Sequence, residues 1–203
     1  MLLIGDPVSV DSSFPVLPHA GQEIDALKRR MAAHTIRAYQ GTSAHPGVLG
    51  ETRPDHFRWI HFTAHASASR ESPLDSAVIL SPREGDPTSY KLYARDVMRT
   101  PLDAELVTVS ACRGAGAREY AGEGLVGFAW AFLLAGASSV IAGVWDVTDA
   151  STAQLMDTLY AGIAADKGPA AALREAKLSM IRGGGNYAKP YYWAPFQVYT
   201  RHR

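Results

Sequence analysis

Residues 125–145 read Leu125-Val126-Gly127-Phe128-Ala129-Trp130-Ala131-Phe132-Leu133-Leu134-Ala135-Gly136-Ala137-Ser138-Ser139-Val140-Ile141-Ala142-Gly143-Val144-Trp145, 21 residues without a charge. On length alone such a run is a candidate membrane span, because 18 or more apolar residues can cross a bilayer. Its interior points elsewhere. Helix formers run to Ala135, Gly136-Ala137-Ser138-Ser139 interrupts them, and a β-branched stretch follows from Val140 to Trp145. That is the pattern of a buried helix, a turn and a buried parallel strand. No basic residues flank the run to set a membrane orientation.

Working outward, apolar strand-like runs alternate with helical periodicity. Strands are predicted at Leu2–Gly5, Thr35–Tyr39, Trp59–Thr63, Leu106–Ser110, Ser139–Trp145 and Phe196–Thr200. Helices are predicted near Gly21–Ala33, Gly124–Ala135, Asp149–Ala165 and Pro169–Ile181. The third carries Met156, Leu159, Tyr160 and Ile163 at the spacing of a buried stripe. The fourth opens with Pro169 at its first position, where a missing N–H costs nothing, and ends at Gly183-Gly184-Gly185. Ala77–Leu80 and Tyr90–Tyr93 bracket a Pro/Gly turn and predict a hairpin outside the main sheet. The whole is an α/β fold around a mostly parallel sheet of about six strands. With 203 residues and no linker or repeat, the chain is expected to form one domain over 1–203.

Composition narrows the function. Twenty basic residues balance twenty acidic ones, which argues against a nucleic-acid binder working by broad electrostatics. One cysteine cannot form an internal disulfide and suits a reducing compartment. The start, Met1-Leu2-Leu3-Ile4-Gly5-Asp6-Pro7, lacks the basic region of a signal peptide, so a cytoplasmic location is expected, with no membrane anchor.

In open α/β sheets ligands bind beyond the carboxyl ends of the strands. Three places there carry reactive side chains: His65, Cys112, and Asp146 with Asp149. Cys112 lies in Ser110-Ala111-Cys112-Arg113-Gly114-Ala115-Gly116, where glycines let the backbone turn and present N–H groups to an oxyanion. A buried cysteine packing as a small apolar residue is the bland reading. His65 tips the balance, because it ends another strand and precedes Cys112 by 47 residues. Histidine about 50 residues before cysteine matches the caspase arrangement, and Ala111-Cys112-Arg113-Gly114 matches four positions of the caspase cysteine signature. An imidazole stabilises the thiolate and can then protonate a leaving amine. Glutamine amidotransferase-like hydrolases place the cysteine first, and His202 alone follows Cys112.

These residues resemble a known family. His61-Phe62-x-x-His65, Leu106-Val107-x-Val109-Ser110-Ala111-Cys112, Gly122-Glu123-Gly124-Leu125, Ala135-Gly136-Ala137, Val144-Trp145-Asp146-Val147-Thr148-Asp149 and Tyr191-Tyr192-Trp193-Ala194-x-Phe196 are together similar to a CHAT domain. CHAT domains are caspase-like cysteine peptidases of the separase, caspase and gingipain clan. The resemblance covers nearly the whole chain and implies a caspase-like three-layer sandwich with His65 and Cys112 as a dyad. It implies an oxyanion hole from the amides of Ala66 and Cys112. The family histidine is usually followed by glycine, and a positive φ at Ala66 would be strained. By resemblance to separases, Asp146 or Asp149 forms the floor of a pocket for a basic P1 residue, with Asp146 favoured. A carboxylate there would accept two bonds from a guanidinium.

Each acid also has a plainer role. Asp149 suits the N-cap of the helix beginning at Ala150, and Asp146 simply finishes a strand. Glu123 is expected to cap its helix or order the loop beneath the site, and joins the two aspartates on the substrate side.

No cofactor or metal is expected. Gly122-Glu123-Gly124-Leu125-Val126-Gly127 is a literal dinucleotide fingerprint, but no strand leads directly into Gly122. His61-x-x-x-His65 has Phe62 where a zinc peptidase needs Glu, and it sits on a strand. Tyr191, Tyr192, Trp193 and Phe196 are read as closing a core. The resemblance implies cysteine endopeptidase action on a protein substrate. Because family members are commonly fused to helical repeats, regulation is expected from a partner, a helical-repeat or other regulatory protein, or from a missing repeat region of a longer protein. The alternative is a catalytically silent, caspase-like interaction module.

Overall fold

The computed structural model describes residues 1–10, 12–69, 71–110, 122–145 and 147–201, the side chains of 122–126 excepted. Along the chain come β1 (Leu2–Gly5), α1 (Ala20–Arg30), β2 (Arg37–Gln40), α2 (Val48–Glu51), β3 (Trp59–Thr63) and β4 (His65–Ser67). Then follow β5 (Ala77–Ile79), β6 (Lys91–Tyr93), α3 (Ala94–Val97), β7 (Leu106–Val109) and α4 (Gly122–Ala135). The chain continues through β8 (Ser139–Gly143), α5 (Asp149–Ala164), α6 (Pro169–Gly183), α7 (Pro190–Trp193) and β9 (Phe196–Thr200).

Six strands form the main sheet in the order β2-β1-β3-β7-β8-β9. Every neighbouring pair is parallel except β8 with β9. Every residue of β1, β3, β7 and β8 is buried, as in a sheet covered on both faces. Because side chains alternate along a strand, Ile4, Phe62 and Val109 face one layer with Phe128 and Phe132 of α4. Leu3, Trp59 and Leu106 face the other, against Leu27 of α1 and Leu159 of α5. Full burial of each such side chain contributes about 1.5–3 kcal/mol, and this holds the three layers together.

The 21-residue uncharged run divides as its pattern predicts. Gly136, at φ 126°, makes the turn, and a Cβ there would lie 1.9 Å from the Leu102 carbonyl oxygen. None of the described helices is long and apolar enough to cross a membrane. Boundaries elsewhere move by a few residues: β2 starts at Arg37 and β8 stops at Gly143.

The predicted hairpin is larger than expected. β5 and β6 pair antiparallel, and β4 joins them as a third strand through His65↔Ile79 and Ala66↔Val78. The His-Ala-Ser sequence of β4 has no β-branched residue and no alternation to announce it.

Main-sheet order also creates a crevice. From β1 the chain passes to β2 on one side, then returns to β3 on the other. Connections leaving the carboxyl ends of β1 and β3 therefore diverge, the arrangement that opens ligand sites in such sheets. Gly5 ends β1 so close to β3 that a Cβ would lie 2.5 Å from the Thr63 carbonyl oxygen. Asp6 then turns away at φ 52°, its N–H donating to that oxygen at 2.9 Å.

Candidate active site

His65 stands two residues beyond β3, where β4 begins, and is 3% exposed. The connection from β1 to α1 crosses it. His65 Nε2 donates to the backbone carbonyl of Pro15 at 2.6 Å, and the Phe14 ring lies 5.9 Å from the imidazole. A carbonyl oxygen can only accept, so Nε2 carries a proton and the lone pair of the neutral ring resides on Nδ1. The ring is thus held in one orientation and one tautomer, as a general base requires.

Asp149 lies near this imidazole, half-buried, at the start of α5. Its Oδ2 accepts from the backbone N–H of His19, the residue preceding α1, at 2.5 Å. Burial pushes the Asp149 carboxyl above its ordinary value, while the His19 amide pulls it down. The charge of Glu23 adds to the upward push, and His19 and His65 oppose it when they are protonated. Asp149 is not the helix N-cap. Thr148 takes that position, its side chain accepting from the Ser151 N–H at 3.4 Å. The carboxylate instead reaches across to fasten the end of the connection that covers His65.

Ala66 lies within β4, and its φ is not positive. The strain foreseen for an alanine at this position is absent. Glu123 is the second residue of α4. Cys112 and Asp146 lie outside the described residues, so the dyad and the favoured P1 partner have no geometry here. Ser110, two residues before Cys112, is placed: its N–H donates to the Phe62 carbonyl at 2.8 Å, fastening the end of β7 to β3.

The family model for the CHAT domain matches residues 1–201. This chain belongs to the CHAT domain family. A solved structure described as the Arg specific cysteine proteinase gingipain R (RGPB) superimposes with a TM-score of 0.62 at 12% identity. The superposition covers 98% of the CHAT chain and 45% of the gingipain chain. At that identity the likeness is one of fold, the caspase-like cysteine-peptidase fold. A 107-residue stretch, 53% of the chain, is 30% identical to tetratricopeptide repeat protein 28 of Mus musculus. That stretch amounts to 4% of the mouse protein, so the CHAT chain spans a small part of one relative and less than half of the other.

The sequence pattern does not announce two parts of the candidate site. The Pro15 carbonyl is a backbone atom, and no side-chain pattern announces it. The second is a buried polar cluster on the α1 face of the sheet. Glu23 Oε1 accepts from His61 Nε2 at 2.8 Å and from the Thr63 hydroxyl at 3.0 Å. Its Oε2 accepts from the Ser110 hydroxyl at 3.1 Å. His61 Nδ1 pairs with the Thr108 hydroxyl, which lies 2.7 Å from that of Tyr160. Burial pushes the Tyr160 phenol well above its ordinary value. His61 is therefore a core residue held by a carboxylate. The aromatic cluster divides. Phe196 is fully buried and Tyr192 and Trp193 pack on the core, but Tyr191 is 54% exposed, its carbonyl accepting from Trp145 Nε1 at 3.0 Å. The single turn of α7 leaves Tyr191 on its outer side.

Proposed function

We propose that this CHAT domain is a cysteine endopeptidase cleaving after a basic residue, with His65 and Cys112 as its dyad. The observation that carries the reading is the bond from His65 Nε2 to the Pro15 carbonyl, which orients the imidazole at the carboxyl end of the sheet. Cys112 follows β7, the strand beside β3, and so belongs by sequence to the same end.

In this reaction the Cys112 thiol passes its proton to His65 Nδ1, and the sulfur attacks the scissile carbonyl carbon. The amides of Ala66 and Cys112 donate to the developing oxyanion. The extended backbone of Ala66 leaves alanine compatible with that task. Collapse breaks the C–N bond, and the imidazolium gives its proton to the departing amine. Water, deprotonated by His65, then attacks the thioester and releases the carboxylate product and the thiol.

Asp146 is the partner we assign to a basic P1 side chain, since Asp149 Oδ2 already serves the His19 amide. Asp149 contributes negative charge behind the site, and Glu123 orders the adjoining loop. The substrate is a protein, and a helical-repeat protein is the proposed regulator, in keeping with the name of the mouse relative. The lone thiol suits a reducing location such as the cytoplasm.

That same name favours a second reading, a catalytically silent interaction module. A peptide library digested by the purified chain separates the two. Cleavage after Arg or Lys that disappears in Cys112→Ala supports the peptidase. Preference for Asp at P1 contradicts the role of Asp146, and a digest identical to that of Cys112→Ala supports the silent module.

A further inference from the structure

Glu23, His61, Thr63, Thr108, Ser110 and Tyr160 form a polar cluster in a place otherwise made of apolar side chains. All six are buried, with at most 3% exposure. Four elements meet there: Glu23 comes from α1, His61 and Thr63 from β3, Thr108 and Ser110 from β7 and the residue after it, and Tyr160 from α5. Burying a carboxylate and an imidazole together is a poor way to gain stability, because apolar residues of the same volume commonly serve as well or better. Such a cluster is better explained by what it positions.

Its placement names the target. The two hydroxyls that Glu23 holds stand two residues before the proposed dyad: Thr63 before His65, and Ser110 before Cys112. One carboxylate therefore ties together the outgoing ends of the adjacent strands β3 and β7. Glu23 also sits in the first turn of α1, four residues beyond the His19 amide that Asp149 grips and eight beyond Pro15. The carbonyl that orients His65 thus hangs from the same helix end that Glu23 fastens to the sheet.

We infer that Glu23 is a positioning residue for the peptidase site, setting His65 and the end of β7 in mutual register from beneath the sheet. This rests on the peptidase reading above and assigns Glu23 no contact with substrate. It acts through Thr63 and Ser110 on one side and through α1 and Pro15 on the other. A register error of about 1 Å at reacting groups costs on the order of a hundredfold in rate.

The test uses the single cysteine of the full chain. Alkylation of Cys112 by iodoacetamide, followed from pH 5 to pH 9, reports the thiolate alone, and a thiolate paired with His65 persists well below the range of an isolated thiol. Wild type should react at pH 6 faster than His65→Ala. Glu23→Gln should lose about tenfold or more of that reactivity at pH 6, moving toward the His65→Ala profile, while it still melts cooperatively. Ser110→Ala removes one hydroxyl and should move the profile the same way by a smaller factor. If Glu23→Gln does not fold, the Ser110→Ala profile decides. Wild-type profiles in the folded variants, whatever their melting temperatures, overturn the inference alone. A wild-type profile coinciding with that of His65→Ala overturns the dyad, and the inference with it.

Discussion

His65 Nε2 lies 2.6 Å from the carbonyl oxygen of Pro15, a residue fifty positions earlier in the chain. A backbone carbonyl here does what a carboxylate does in many histidine-based sites: it fixes the tautomer and the direction in which the other ring nitrogen points. Unlike a carboxylate, it cannot be removed by substituting its own side chain, but its support can be weakened. Phe14 packs against both His65 and Tyr90, with ring centroids at 5.9 and 6.5 Å. Phe14→Ala should therefore slow modification of Cys112 by an electrophilic peptide on the order of tenfold, with little change in melting temperature. Rates equal to wild type would mean that the Pro15 connection holds itself in place.

Asp149 gives a pH dependence with a definite sign. Burial raises its folded-state pKa, so its contribution to stability is fully present below the unfolded value of about 4 and is lost as pH rises through the folded value. Asn at this position keeps an acceptor for the His19 N–H and carries no charge. The melting temperature of Asp149→Asn relative to wild type should rise between pH 3 and pH 7. Asp149→Ala removes the acceptor and should be less stable than Asp149→Asn throughout, by about 1 kcal/mol. A wild-type-to-Asn difference that stays constant with pH contradicts this account.

Gly5 is where β1 gives way to the connection over the site. A methyl group there would meet Thr63 at 2.5 Å from its carbonyl oxygen and 2.7 Å from its Cβ, atoms fixed in the neighbouring strand. Gly5→Ala should destabilise the fold by about 1–3 kcal/mol, read from the urea midpoint. It should also slow Cys112 alkylation, because Thr63 is one of the hydroxyls held by Glu23. An Ala variant of wild-type stability would show that the two strands separate more easily than their packing indicates.

Thr148 opens α5 by accepting from the Ser151 N–H. Thr148→Ala should cost about 1 kcal/mol of stability, while Asp149→Ala should leave this cap intact. In a double variant the two losses should be nearly additive if cap and cross-link are separate devices.

How much of this was written in the sequence differs from part to part. The six main strands and four long helices follow from apolar runs and their periods, because strands covered on both faces must be apolar almost throughout. That rule also conceals the polar cluster. His61 stands out only as a zinc ligand to be weighed and as part of the family motif, Thr63 and Thr108 are ordinary β-branched strand residues by pattern, and Glu23 stands on a helix among Asp25, Lys28, Arg29 and Arg30. Only the packing of α1 on the sheet brings the four elements together. His65 could be singled out because a side chain with its own chemistry stands at a strand end. The Pro15 carbonyl could not, since any residue can supply one. At the start of α5 both Thr148 and Asp149 are good N-caps, and local preference cannot tell that His19 would claim the carboxylate from 130 residues away.

The most direct measurement is the rate at which a peptidyl acyloxymethyl ketone with Arg at P1 modifies Cys112 in the native chain, beside His65→Ala and beside the urea-unfolded chain. Modification of the native protein should be on the order of a hundredfold or more faster than in either comparison. Equal rates in native protein, His65→Ala and unfolded chain would contradict the dyad and leave the domain as an interaction module.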